Sequence, residues 1–485
     1  MREWVEHTAA ERALESGNEL FTRGAFAGAV EAYSDGIQRD PSSALALYNR
    51  ANALAMVGRL NDSLADYDLA LSLAPTLEEA RFNRYLVYQR LLAEHDAMDG
   101  QRDVAATRCP EVRQPLEQPV APSAKPNATA LPRVAAVVPA HNEEAIIGSA
   151  IESLLRQTRR LDLICIVSDN SKDRTVEIAR EYAARHPEVM VMETCGNKAK
   201  KAGALNQAMH AIGVDSFDYF FQMDADSIVT ETLIEEGLKE LETDDRVGGV
   251  CSSAFLMDPP ASTGRFGRWL WRLQNIEYGF AQAWRMESPD DSRVLAGIGS
   301  LLRASALKDI ESVKGNGQYW DESSIVEDYV IGLEMKDAGW RVKPAPKMVL
   351  FTDGQTTLGN LWRQRLRWYT GTINEIRKRK LRQHSRTELF GILLALFCLF
   401  VRVTLLGIVT LAIFQMVDLR FNWWMIALPL ITLGHNAYRL SYVHGLDKKQ
   451  TFLALSVFPM DIYDTFQQVT YLVSTVRSFR GAASW

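Results

Sequence analysis

The spacing of apolar residues divides the chain into four stretches. Over roughly the first hundred positions they recur at helical spacing, and the pattern itself recurs. Gly24 returns as Gly58, Tyr33 as Tyr67, Pro41 as Pro75, and Tyr48-Asn49-Arg50 as Phe82-Asn83-Arg84, each 34 positions on. Between 100 and 131 both helical and strand periods dissolve among Pro110, Pro115, Pro119, Pro122 and Pro126, which predicts an extended linker. From 134 onward, short apolar runs alternate with amphipathic segments. Strands are expected over 134–139, 161–168, 189–192 and 219–223, with helices over 146–155, 174–184 and 202–212 between and after them. The last hundred residues are dominated by long apolar segments at 389–417, 421–438 and 451–476.

Each stretch carries an expectation. A 34-residue period resembles the tetratricopeptide repeat, a helix pair whose apolar face only a neighbouring pair can cover. About two and a half copies are present over 1–99, with a helix from 77 to about 98 acting as the cap. Such a module is expected to dock a protein partner or a second copy. The βαβα order predicts an α/β domain over 132–386, built on a parallel sheet covered by helices on both faces. Ligands in such sheets sit at the carboxyl ends of the strands. The region 387–485 is expected to hold two transmembrane helices, 389–417 and 421–438. The third segment, with Asp461 and Asp464 inside it, reads as an amphipathic interfacial helix. Basic residues at 377–386, with Arg439, Lys448 and Lys449, orient both flanks toward the cytoplasm, as expected of a multi-pass protein of the cytoplasmic membrane.

Composition narrows the picture a little. A formal net charge of −6 gives no global sign of nucleic-acid binding. The five cysteines (Cys109, Cys165, Cys195, Cys251, Cys398) lack Cys-x-x-Cys spacing, which argues against a disulfide framework or a structural zinc site. The polar start predicts no secretory leader, so Asn127 of the Asn-Ala-Thr sequon is expected to stay unmodified.

The polar residues that follow the apolar runs carry the candidate chemistry. Asp224 and Asp226 end the fourth expected strand as Asp-Ala-Asp; one carboxylate can hold a ribose while the other coordinates Mg2+ or Mn2+, although aspartates also simply make turns. Asp169 ends the second, where it can accept from a nucleobase or cap the next helix. Lys201 opens a helix at a position suited to phosphate, or belongs to a solvated basic loop with Lys198 and Lys200. Glu327 and Asp328 open another helix and can take a proton from a hydroxyl, or merely complement the helix dipole. Gln364, Arg367 and Trp368 lie together on an expected helix; Arg367 suits a diphosphate and Trp368 a sugar ring, while interfacial anchoring is the plainer alternative.

In this order, Pro139-Ala-His-Asn-Glu143, Asp169, Lys201 to Asn206, Asp224-x-Asp226, Glu327-Asp328 and Gln364-x-x-Arg367-Trp368 closely resemble glycosyltransferase family two. These are inverting enzymes that include cellulose, chitin and hyaluronan synthases. The resemblance covers about 134–368 and implies a doubly wound GT-A fold and a nucleotide-sugar donor, with UDP favoured. By it, Pro139, Glu143, Asp169, Lys201, Asp224 and Arg367 belong to the donor site, Asp226 to the metal, and Asp328 with Glu327 to the catalytic pair. Gln364, Trp368 and Ser300, the last in an acceptor-positioning loop at 296–300, would face the acceptor. Val326 stands where the family usually carries a threonine. The Gln-x-x-Arg-Trp element is similar to the processive branch, which implies a growing glycan; the alternatives are a single addition to a polyprenyl-linked or protein acceptor, or an inactive transferase domain on a repeat scaffold.

Overall fold

A computed structural model describes residues 2–74, 131–287, 294–379, 383–416, 427–441 and 446–480, together with 77, 79, 80, 83, 84, 87, 90 and 443. The expected linker before Leu131, most of the capping helix and the start of the expected second span lie outside the described residues. The chain divides into two compact units.

The first unit is built on four helices, α1 (Arg2–Thr22), α2 (Phe26–Arg39), α3 (Ala44–Met56) and α4 (Leu60–Leu73). α1 packs on α2 and α3 on α4, the paired-helix arrangement that the 34-residue period predicts. Gly24 and Gly58 close the two turns at φ 76° and 81°, a left-handed conformation that side chains rarely adopt. The repeat extends to buried hydrogen bonds. Tyr33 donates to Asn18 Oδ1 at 2.8 Å, and Asn49 donates to the same oxygen at 3.0 Å. One period later Tyr67 and Asn83 donate to Asn52 Oδ1 at 2.5 and 2.8 Å. The polar positions of the period are therefore as structural as its apolar ones.

The second unit contains an eight-stranded sheet in the order β3-β2-β1-β4-β7-β6-β8-β5. Its strands are β1 (Val134–Ala140), β2 (Leu163–Ser168), β3 (Val189–Glu193), β4 (Tyr219–Met223), β5 (Ser227–Val229), β6 (Val247–Leu256), β7 (Gly299–Arg303) and β8 (Arg341–Thr352). Helices α5 (Ile147–Leu155), α6 (Thr175–Ala183), α7 (Lys200–Ile212) and α8 (Leu233–Leu241) alternate with the early strands. β1 pairs in parallel with β2 and β4, as expected, and β2 is buried along its whole length. The sheet as a whole is mixed rather than parallel, which corrects the expectation. β7 runs antiparallel to both β4 and β6, and β5 antiparallel to β8. β6 and β8 escape the apolar pattern because Gly248 and Gly249 interrupt one and Pro344 and Pro346 the other. Pairing survives in β8 because its register with β6 shifts between Ser252 and Ser253, beside those prolines.

The remaining helices are α9 (Arg265–Glu287), α10 (Ala304–Lys314), α11 (Glu327–Asp337), α12 (Leu358–Lys378), α13 (Gln383–Ile413), α14 (Ala427–Leu440), α15 (Lys448–Leu455) and α16 (Val457–Phe479). Leu273 and Phe280 of α9, Leu361 of α12, Ala454 of α15 and Tyr463 of α16 share a core. α13 is different. Its 25-residue stretch Leu389–Ile413 is the one helix among the described residues long and apolar enough to cross a membrane, and it is almost wholly exposed. At about 1.5 Å per residue it exceeds a hydrocarbon core of about 30 Å. The described part of the expected second span is the 14-residue α14. The third expected segment is broken at Ser456 into α15 and α16; α16 packs against α12 and α13 and leaves Ile462, Leu472 and Val476 exposed.

Candidate active site

The mouths of β1, β2 and β4 bring the motif residues together. Past β1 and β2 the chain turns through Asn142 and Asn170, at φ 58° and 55°, a conformation that asparagine tolerates better than most residues. The two turns are stitched to one another. The Asn142 side chain accepts from the Lys172 amide at 2.7 Å, the Asn142 amide donates to Ser171 Oγ at 3.2 Å, and the Asp169 amide donates to the Ala140 carbonyl at 2.8 Å. Pro139 stands opposite Val167 just behind them. Asp169 is thus held at the strand edge by its main chain, and its Oδ1 accepts from the Asn170 side-chain Nδ2 at 2.8 Å.

Lys201, in the first turn of α7, is the hub. Its Nζ lies 2.5 Å from Asp224 Oδ1 and 3.4 Å from Glu327 Oε1, and it donates to the Gly297 carbonyl at 3.2 Å. The amide of that same Gly297 donates to Asp328 Oδ2 at 3.0 Å, while Asp328 Oδ1 accepts from the Tyr329 amide at 2.8 Å. A Cβ at position 297 would stand 2.6 Å from Lys201 Nζ and 3.0 Å from Asp328 Cβ, so a side chain there would displace the Lys201 ammonium and crowd Asp328. Burial works against the charge on Lys201, yet Asp224, Glu327 and Asp328 outweigh it and raise its pKa. Burial raises Glu327, with Lys201 opposing and Asp328 adding to the rise.

Negative charge is concentrated on the other side of Asp224. Asp226 Oδ1 accepts from the Ser227 and Thr352 hydroxyls at 3.3 and 3.4 Å. Burial, then Asp224 and Asp353, push its pKa up to about 6. Glu143 is pushed up to about 7 by burial and by Asp226, Asp353 and Asp224. Among the described residues no three acidic, histidine or cysteine side chains form a ready cation cage. The donor set nevertheless suits a hard divalent cation that keeps water and substrate oxygens as its other ligands.

Other expected residues lie farther out. Arg367 is exposed on α12, and Gln364 and Trp368 are half-buried beside it. Burial raises the pKa of Tyr278 on α9, with Arg365 opposing and Glu277 and Asp226 adding to the rise. Ser300 does not face an acceptor. It is buried in β7, and its hydroxyl donates to the Ala296 carbonyl at 2.8 Å, so it secures the loop that carries Gly297. Asp353, Gly297, Glu277 and the buried Arg365 are additions that the motifs did not single out. Asp353 follows an apolar run at the end of β8, the same signal that marks Asp169 and Asp224. A cavity of about 610 Å³ lies away from these residues, lined by Lys314, Asp321, Glu334, Glu375, Lys378 and Arg379. Its charges are paired with one another, as Lys314 with Glu334 and Lys378 with Asp321, both at 2.8 Å.

With this geometry in place, similarity to known proteins becomes informative. Residues 132–371 match the family described as glycosyltransferase like family 2, and residues 17–58 match the TPR repeat. The chain carries a family 2 glycosyltransferase domain. Poly-beta-1,6-N-acetyl-D-glucosamine synthase of Staphylococcus aureus (strain COL) is 25% identical over 260 residues, 53% of this chain and 58% of that protein. The synthase of the same name from Staphylococcus epidermidis is 24% identical over 234 residues, 48% of this chain and 52% of its own. The chain thus spans little more than half the length of these relatives. Mannosyltransferase PcManGT from Pyrobaculum calidifontis, solved in complex with GDP-Man and Mn2+, is similar over 83% of this chain and 99% of its own, at 16% identity and a TM-score of 0.48. The match to glycosyltransferase like family 2 starts just before β1 and ends in α12, just past Trp368.

Proposed function

We propose that the protein is a membrane-associated, inverting transferase that moves a hexosyl unit from a nucleotide diphosphate, UDP-sugars first, onto a growing glycan at the cytoplasmic face of the membrane. The observation that carries this reading is the backbone of a single residue, Gly297. Its carbonyl takes Lys201, which pairs with Asp224, and its amide takes Asp328. The donor half and the acceptor half of the site are thereby tied to each other through the main chain of one residue.

Asp328 acts as the base. Two backbone amides hold its oxygens, which leaves a carboxylate lone pair to remove the acceptor hydroxyl proton as that oxygen attacks the anomeric carbon. Asp169 and Asp224 hold the nucleoside, with Pro139 and Glu143 shaping the floor. Lys201 and the exposed Arg367 meet the diphosphate, and Trp368 and Gln364 meet the acceptor sugar. Asp226, beside Asp224 and Asp353, would hold Mg2+ or Mn2+. A bound cation would offset charge on the departing diphosphate. The exposed apolar α13 supports membrane association, with the shorter C-terminal helices lying against it or beside the bilayer. The repeats supply a docking surface for a protein partner or a second copy.

Incubating the purified full chain with radiolabelled UDP-N-acetylglucosamine and Mn2+, then sizing the product, tests the proposal. A ladder of lengths is expected. Single-sugar adducts alone would sink polymerisation, and no turnover of any UDP- or GDP-sugar would sink the transferase itself.

A further inference from the structure

The Gln364-to-Trp368 segment contains an arginine to which neither donor nor acceptor gives a role. Arg365 is completely buried. Its Nη2 donates to Glu277 Oε2 on α9 at 2.7 Å, and that oxygen also accepts from the Tyr463 hydroxyl on α16 at 2.5 Å. Its Nη1 donates to Gln364 Oε1 at 3.1 Å, and its Nε is buried without a hydrogen bond. The guanidinium carbon sits 4.3 Å from the centre of the Trp368 ring. A buried arginine that leaves one N–H unpaired while stacking on an indole trades hydrogen bonding for placement of that ring. One face of Trp368 is therefore covered by a cation, and the half-buried residue keeps other surface for a sugar. The Gln364 oxygen is likewise occupied, which leaves its amide hydrogens to donate.

α16 fixes α12 at several further levels. Trp362 meets Phe466 edge to face at 5.7 Å, and Tyr369 stacks on Tyr471 at 3.6 Å and donates to Gln467 at 2.8 Å. Farther along, Ser478 donates to Asn374 at 2.6 Å. The contacts run along most of α12, so the ring of Trp368 cannot be set independently of α16.

We infer that Arg365, with Glu277 and Tyr463, forms a positioning triad that sets Trp368 and Gln364 for the acceptor, so that the C-terminal helix α16 completes the acceptor site. The inference rests on the transferase reading and deepens it. Arg365→Lys keeps the charge facing Glu277 but loses the planar fork that lies on the indole. In the full chain it should weaken binding of a short β-1,6-linked N-acetylglucosamine oligomer, and raise the acceptor KM, on the order of tenfold, with kcat reduced less. Tyr463→Phe should act in the same direction by about threefold. UDP affinity by calorimetry should stay near that of the unaltered chain in both variants. Unaltered oligomer binding in both variants overturns the inference, as does a parallel loss of UDP affinity, which would move Arg365 into the donor site. If the unaltered chain binds UDP but not the oligomer, the inference falls while the transferase reading stands; if it binds no nucleotide and turns over no donor, the transferase reading falls.

Discussion

Both units bury polar side chains, and they do so in opposite ways. In the repeats the interior hydrogen bonds join mainly neutral groups, Asp66 with Arg50 being a charged exception, and the Asn18 arrangement with Tyr33 and Asn49 returns one period later as Asn52 with Tyr67 and Asn83. In the sheet unit a half-buried acidic cluster occurs once, and its members push one another's ionisation away from ordinary values, as Asp226 and Glu143 illustrate. Neutral hydrogen bonds repeated with the fold hold helices in register. A charged cluster that occurs once and is only partly compensated stores interaction free energy that, on the proposed function, a bound diphosphate and cation would release.

That contrast is sharpened most at Asp328, the proposed base. Asp328→Asn keeps the shape and the amide contacts but not the proton acceptor. The kcat should fall by roughly 10²–10⁴, measured by donor turnover, with UDP affinity by calorimetry held within about twofold. Lys201→Met should come next. It leaves Asp224 and Glu327 facing each other without their cation, so stability should drop by about 3 kcal/mol in denaturant titration and UDP affinity should fall with it. In the repeats, Asn52→Ala strands the Tyr67 hydroxyl and the Asn83 amide; a loss of about 2 kcal/mol with kcat within about twofold is expected from the same two assays. A catalytic collapse in this variant would break the comparison.

The smallest effect is a pH dependence with a defined sign. Glu143 and Asp226 titrate near 7 and 6 in the fold, above the ordinary carboxyl values of about 4.3 and 3.9. Between those limits the native state binds more protons than the unfolded chain, so stability present at low pH is lost as pH rises through the window. Scanning calorimetry of the cation-free protein should show the melting temperature falling by about 2–4 °C from pH 5 to 7.5. Adding Mn2+ at pH 7.5 should recover it; a flat profile would place these carboxyls in solvent.

Much of this was legible beforehand because strand-end polarity follows directly from apolar runs. Asp169, Asp224 and Asp226 could be placed by that rule alone, and Lys201 by its position at a helix start. β6 and β8 were not legible, since their glycines and prolines read as interruptions and only the neighbouring strands rescue them. Ser300 was misplaced because a serine in a glycine-rich loop looks open, whereas the paired strand around it closes it off. Arg365 left no signal. Its burial depends on Glu277 and Tyr463, which lie 88 positions before it and about a hundred after it.

Arg402 interrupts the exposed apolar helix α13, and its guanidinium is met by Asp461 at 2.5 Å and Gln468 at 2.8 Å, both on α16. During synthesis those partners emerge some sixty residues after it. An unpaired arginine at the middle of a bilayer costs about 2.5–3.5 kcal/mol on insertion scales. On the membrane reading, α13 therefore waits for the end of translation to settle. A chain truncated before Asp461 would present quality-control proteases with an unmet cation, making completeness of the C-terminus a condition of survival in the membrane.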